Sequence, residues 1–319
     1  VLAVELVANG LMGHRALPFE PAPALLVQLP EPTLRMSSYL RPDAVARALQ
    51  RLPAGRSIVQ DLPGGRRQLA DPRSTIFRIE QAQGYNPVQL KRYWFFVRAL
   101  TPVVLDHNLS IFYRPSPVLR DLLQVRYVVA PVWPFSTPFG GPLAVQGPAR
   151  LFEAGGAAPR ASVVGSWTVV PGFDASLREV TRVEFDPQTG VILEEDPGLP
   201  RERSPQDPGR AEYTFLGTQS GRVSVQASGP ALVLIRTPYA RGWHATVNGR
   251  PAKVLAADFV VQAVPVQAGR HTILLTYDDP SIGYGLVASG LAFAALIGSI
   301  LMAARRDRRR TTQVVQRIR

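Results

Sequence analysis

Residues 282–304 read IGYGLVASGLAFAALIGSILMAA, an unbroken run without a charge. At 1.5 Å per residue, a helix of this length reaches roughly 34 Å, enough to cross the ~30 Å hydrocarbon layer of a membrane. Nine of its residues are Leu, Ile, Val or Phe. Each of these favours insertion by roughly 0.3–0.6 kcal/mol near the centre. The flanks give a direction. Asp278 and Asp279 precede the run; Arg305, Arg306, Arg308, Arg309 and Arg310 follow it. Basic residues are held on the cytoplasmic side. The expected arrangement is therefore a transmembrane anchor from Ile282 to Ala304, a basic cytoplasmic tail at 305–319, and an extracytoplasmic body before about residue 280. Gly285 with Ser289, and Ala294 with Gly298, are small residues four apart, a spacing that lets a second helix approach closely. The lipid bilayer and further membrane helices are the first expected partners.

The tail also accounts for much of the charge. The chain carries +12, and residues 305–319 hold seven Arg against one Asp. The remaining 29 basic and 23 acidic residues are spread along the body. No basic run interleaved with aromatics occurs there, so nucleic acid is not an expected partner. The absence of Cys removes disulfides, thiol catalysis and cysteine-held metals. His14, His107, His244 and His271 stand at no metal-ligand spacing. Neither a Gly-rich phosphate loop nor GxSxG occurs. No catalytic residue, metal or cofactor is therefore assigned.

The body divides by pattern. Residues 1–13 are apolar but short, contain Glu5 and lack a basic start. They are expected to be the end of a truncated transmembrane helix, with a first core element as the other reading. Residues 14–193 mix helical and strand signals, which suggests an α/β extracytoplasmic domain. Its helices are expected at 42–52, from Asn86-Pro87 to about Leu100, at 118–123 behind Ser116-Pro117, and at 174–180. Asn or Ser before Pro suits the unpaired amides of a helix start. Strands are expected at 57–62, 125–130, 149–153, 160–164 and 191–193. Residues 194–210, EEDPGLPRERSPQDPGR, offer little to bury and read as a linker. Beyond them the period becomes two. Strands are expected at 212–216, 222–227, 231–237, 243–247, 252–255, 259–264 and 271–277, with a type I′ turn at Asn248-Gly249. Residues 211–279 thus read as an all-β sandwich or jelly-roll domain.

Chemistry is sparse. Glu194-Glu195-Asp196 and Asp278-Asp279 are paired carboxylates of the kind glycosidases use, but both read as solvated charge. Tyr85, Asn86, Arg92 and Tyr93 gather near a glycine turn, where aromatic rings could stack on a sugar and Arg could grip a phosphate or carboxylate. The plain alternative has Asn86 capping the helix, Tyr85 packing, and Arg92 and Tyr93 covering a groove. Trp243 is either a sugar platform or a core residue, and its place in an alternating strand favours the core. Asn108-Leu109-Ser110 is a formal glycosylation triplet.

Three segments together carry a resemblance. Gly84-Tyr85-Asn86-Pro87 is followed by Lys91-Arg92-Tyr93. Leu123 to Val129 reads LQVRYVV. Tyr239 to Gly249 reads YARGWHATVNG, with Pro265-Val266 and Gly269-Arg270-His271 beyond it. In this order, before a terminal membrane helix, they resemble the C-terminal portion of YfhO-type bacterial membrane proteins. Ala240-Arg241 departs from the Pro that the family often has before the Gly. The resemblance implies a large multi-span protein similar to the GT-C class of membrane glycosyltransferases. That class uses polyprenyl-phosphate sugars to modify cell-envelope polymers outside the cytoplasm. It also implies that the acidic catalytic residue lies in a membrane loop that this chain does not contain. The expected role is then an accessory extracytoplasmic region with the last membrane helix, meeting a lipid-linked sugar or a surface glycan. The other expected role is a non-enzymatic, membrane-tethered module that binds glycan or protein.

Overall fold

The computed structural model describes residues 44–53, 55–59, 77–82, 90–100, 116–130, 141–147, 149–154, 157–200, 207–217 and 219–317. The expectations for residues 1–40, for Tyr85, Asn86 and Pro87, and for the triplet at Asn108 lie outside these residues. What is described is a mixed α/β body with three sheets, up to Asp278, and one long apolar C-terminal helix.

The first sheet follows the order β1-β2-β4-β3, where β1 is Arg56–Val59, β2 Val125–Ala130, β3 Ala144–Gln146 and β4 Ala149–Glu153. Strand β2 (VRYVVA) is buried except at Arg126, as its nearly continuous apolar run requires. Alternate residues serve opposite cores. Tyr127 and Val129 join Val45 and Ala46 of helix α1 (Ala44–Arg51), while Val128 and Ala130 join the core that holds helices α2 (Lys91–Leu100) and α3 (Pro117–Leu122). Helix α3 starts as its Ser-Pro pair foretells: the Ser116 side chain accepts from the Leu119 amide at 3.1 Å, with Pro117 in the first turn.

The second sheet has six strands, β5-β10-β14-β13-β7-β6. It takes β5 (Ala161–Val164), β6 (Trp167–Val169) and β7 (Val191–Leu193) from before the Pro-rich stretch, and β10 (Ala231–Ile235), β13 (Leu255–Ala257) and β14 (Val261–Val266) from after it. Strands from both sides of the stretch at 194–210 therefore share one sheet. Helix α4 (Phe173–Val180) lies between β6 and β7 in the chain. Its cap position is Gly172, with φ 99° and no side-chain bond, and Asp174 stands inside the first turn. There a carboxylate favours the positive end of the helix without capping it.

Strand β10 shows why this sheet sits centrally. All five of its residues are buried. Leu232 and Leu234 feed the core shared with α2 and α3, whereas Ala231, Val233 and Ile235 feed a core on the other side. Its two edges are satisfied by antiparallel β5 and β14.

The third sheet runs β12-β11-β15-β9-β8, with β8 Gly209–Gly217, β9 Ser220–Ala227, β11 Trp243–Val247, β12 Arg250–Ala252 and β15 Gly269–Tyr277. Its inward residues, Val223, Val225, Ala245, Ile273 and Leu275, share one core with the second sheet. The β11–β12 hairpin turns at Asn248 (φ 52°) and Gly249 (φ 80°), both positive as a type I′ turn demands. The single strand expected at 252–255 is instead the end of β12 and the start of β13, which belong to different sheets. Exposed Lys253 and half-buried Val254 lie between them, where the chain crosses over.

The C-terminal helix α5, Pro280–Arg317, spans 38 residues. Ser281–Ala303 is long and apolar enough to cross a membrane, and none of it is buried by the chain itself. Asp279 precedes the helix as a cap: its Oδ1 accepts from the Ser281 amide at 3.0 Å and from the Ser281 hydroxyl at 2.6 Å. These bonds hold the Asp279 carboxyl below its usual range. Asp279-Pro280 is thus a helix start of the same type as Ser116-Pro117, and Asp279 is bonded rather than freely solvated.

Candidate functional site

Of the residues singled out near Gly84, Arg92 and Tyr93 are described, and both are engaged. Helix α2 buries Phe96 and Val97, which turns Arg92 toward the second sheet. The Arg92 guanidinium forms a forked ion pair with Glu194. Its Nη2 donates to Oε2 at 2.7 Å, and its Nη1 bonds both Oε1 and, at 3.0 Å, the Phe259 carbonyl. Three rings enclose the same cation, with centroids at 5.2 Å (Phe173), 5.3 Å (Tyr239) and 5.1 Å (Phe259). Phe173 and Phe259 meet edge to face at 4.7 Å. Tyr93 packs against the core and donates its hydroxyl to the Ala82 carbonyl.

The reading of Glu194-Glu195-Asp196 as solvated charge needs correction at its first member. Glu194 follows β7 directly and is 17% exposed in its ion pair. Its partner lies 102 residues earlier, a distance that local composition does not reveal. Glu195 does remain at the surface, where it meets Lys253 at 2.6 Å. The oxygen Asp196 Oδ1 closes a turn by accepting from the Gly198 amide.

Phe259 is held by an unusual turn. Asp258 (φ 43°) and Phe259 (φ 63°) both occupy the left-handed region, although neither is glycine. Such a pair persists only where surrounding bonds fix it. Asp258 exchanges both backbone-range bonds with Ile192: its amide donates to the Ile192 carbonyl at 2.8 Å, and its Oδ1 accepts from the Ile192 amide at 2.8 Å. Oδ2 is buried without a hydrogen-bond partner among the described residues. Burial pushes the Asp258 carboxyl up to about 7; the Ile192 amide and Arg236 oppose the shift, and Asp121 adds to it.

Arg236, 3% exposed, lies close by. Its Nε and Nη2 share Asp121 Oδ1 at 3.3 and 3.2 Å, while its Nη1 reaches the Pro159 carbonyl and the Ser162 hydroxyl. Gln188 donates to the other Asp121 oxygen at 3.1 Å. A second buried pair, Arg160 with Glu80, lies over the rings of Tyr213 and Phe215. Arg56 beside it is pushed down to about 9, first by burial and then by Arg160. Arg92, Arg160 and Arg236 each hold a carboxylate of the chain, and Arg56 donates its Nη1 to the Leu123 carbonyl at 3.1 Å. The Arg92 fork can take an outside phosphate only after Glu194 leaves. Among the described residues no group of three His, Asp or Glu is placed to hold a metal ion.

Trp243 lies in the core between the second and third sheets, 6% exposed, with its ring 5.3 Å from Tyr277. Gly242 before it is required by close approach: a Cβ there would stand 2.8 Å from the Asp278 carbonyl and 2.9 Å from the Tyr277 ring. The residues that sequence reasoning missed are Asp258, Phe259, Phe173 and Tyr239. The YARGW segment contains Tyr239, but no signal there points to Arg92.

Neither the curated proteins nor the solved structures yielded a match to this chain. A family model did match. It covers residues 213–289, from β8 through the remaining strands into the first turns of α5. The YARGWHATVNG and Pro265–His271 segments lie inside it, whereas the Gly84 and LQVRYVV segments lie outside it. Over residues 213–289, the chain matches the model of the family described as bacterial membrane protein YfhO.

Proposed function

We propose that this chain is the extracytoplasmic accessory region and last membrane helix of a YfhO-like membrane glycosyltransferase that acts on cell-envelope polymers, with the catalytic centre outside residues 1–319. The observation that carries this reading is the family match, which runs without a break from β8 into the uncharged span of α5. The arginines at 305, 306, 308, 309 and 310 support a cytoplasmic C-terminal end for that span and a body outside. In this reading Arg92, Tyr93 and Trp243 support the body's shape, and any contact of Arg92 with a phosphate follows displacement of Glu194.

Deleting the gene should remove a sugar from an envelope polymer. The full gene should restore it, and a version lacking residues 14–279 should not. An unchanged sugar content in the deletion strain overturns the reading. Topology has a direct test because the chain has no Cys. A cysteine placed at exposed Ser228 should react with an impermeant thiol reagent in intact cells, and one placed at Thr311 only after lysis. The reverse pattern overturns the placement. A second reading, a membrane-tethered module that binds a glycan without acting on it, is favoured by the open polar face of the third sheet.

A further inference from the structure

The outer face of the third sheet carries charge that the chain does not neutralise. The period of two along β8, β9 and β15 sends Val223, Val225, Ile273 and Leu275 inward, and Arg210, Arg222 and Arg270 outward. Strand register then sets Arg270, Gln226 and Arg210 side by side, and Thr272, Ser224 and Glu212 in the next row. Neighbouring strands lie ~4.8 Å apart, so the two arginines flank Gln226 at a separation of about 10 Å between backbones. They line a cleft of about 580 Å³. Asn248 stands at its edge in a fixed orientation: its Oδ1 accepts from the Thr272 amide at 2.8 Å, and its Nδ2 donates to His271 Nδ1 at 3.2 Å. The opposite ring nitrogen of His271 donates to the Gln267 carbonyl at 2.8 Å, which fixes the tautomer. Among the described residues, Arg210, Arg222, Arg270 and Glu212 have no ion pair and no side-chain hydrogen bond.

We propose that this cleft binds an anionic glycan, a chain of hydroxyl-bearing units that carries carboxylate or phosphate groups. Free guanidinium forks pair with such groups through two parallel hydrogen bonds. Two forks on separate strands suit a ligand with more than one negative group. Ser224, Gln226 and Thr272 between them offer the donors and acceptors that sugar hydroxyls need. The lining holds no Phe, Tyr or Trp, and its one imidazole, His271, is tied by hydrogen bonds, so recognition runs through charge and hydrogen bonds rather than stacking. This inference deepens the reading above by giving the polymer a charge, and it rests on that reading only for the source of the glycan.

The test is titration of the purified full chain, held in zwitterionic nanodiscs, with four probes: oligogalacturonate, a polyol phosphate oligomer, neutral dextran of similar length, and vesicles containing phosphatidylglycerol. Saturable binding of either anionic chain, weakened by salt and absent with dextran, supports the site. Arg210→Ala with Arg270→Ala should weaken it at least tenfold, on the scale of about one charge-assisted bond. Arg270→Lys should fall between, since it keeps the charge and loses the fork. Thr276→Ala, on the same face away from the cleft, should bind as the parent does. Unchanged thermal melts establish that the variants fold. Equal binding by the double variant, equal binding of dextran, or binding of the vesicles alone overturns the proposal. A double variant that loses binding in vitro but restores the envelope sugar in the deletion strain overturns the proposed use of the site and leaves the glycosyltransferase reading standing.

Discussion

The second and third sheets both carry arginines, and they treat them in opposite ways. Around the six-stranded sheet, Arg92, Arg160 and Arg236 are buried or nearly so, and each holds a carboxylate. On the outer face of the five-stranded sheet, Arg210, Arg222 and Arg270 stand in solvent without one among the described residues. A cation removed from water is tolerable only with an opposite charge and hydrogen bonds around it. A solvated cation carries no such requirement, so its pairing capacity stays available. The first group fixes the shape of the body and the second is free to meet something else.

The comparison breaks most sharply at Arg236. Asp121→Ala leaves a guanidinium that is 3% exposed without its charge partner. A loss of about 3–5 kcal/mol in chemical denaturation is expected. A change within 0.5 kcal/mol would mean that the buried pair does not hold the sheet. Arg92 should come next, since its pair is less deeply buried. Glu194→Ala should cost about 2 kcal/mol, and Arg92→Lys should recover little of an Arg92→Ala loss, because an ammonium cannot fork to both carboxylate oxygens and still reach the Phe259 carbonyl.

These arginines also mark where the sequence stops being informative. Strands β2, β10, β11 and β15 are legible because burial on one face or on both leaves a local pattern of period two or a continuous apolar run. The Ser116-Pro117 start and the Asn248-Gly249 turn are legible because the backbone there needs those residues. The joining of β5 to β10 is not legible. Which strand fills the free edge of β10 depends on three-dimensional proximity, and the charged stretch at 194–210 reads as a break between domains. The Arg92 pair is hidden for the same reason: Glu194 looks like its neighbours Glu195 and Asp196, and only the fold brings it to α2. Short strands such as β6, three residues long, carry too little pattern to stand out. Asp258 and Phe259 adopt glycine-like angles with no glycine to announce them.

Asp258 sharpens the comparison through pH. Its carboxyl is raised in the folded body, from the ordinary value near 3.8 to about 7. The folded state therefore binds this proton more tightly than the unfolded chain does. The resulting stabilisation is complete below about pH 4 and is lost as pH rises through about 7. Asp258→Asn keeps an oxygen for the Ile192 amide and cannot ionise. Its melting temperature relative to the parent should therefore climb between pH 4 and pH 8. Parallel pH profiles for parent and variant would show that the site does not titrate in this window.

The smallest effect is expected on the other side of the comparison. Arg222 points outward from β9 with no partner among the described residues. It faces Leu274 on one neighbouring strand and Thr214 on the other. Nothing is left uncompensated when its guanidinium is removed, so Arg222→Ala should change stability by less than about 0.5 kcal/mol. The sign carries the information. Three like charges on adjacent strands repel weakly, so removing one should leave stability unchanged or slightly raised at low salt, with the difference fading as salt screens it. A loss of more than about 1 kcal/mol in denaturant titration would show that this face, too, uses its arginines for structure, and the contrast between the two sheets would fail.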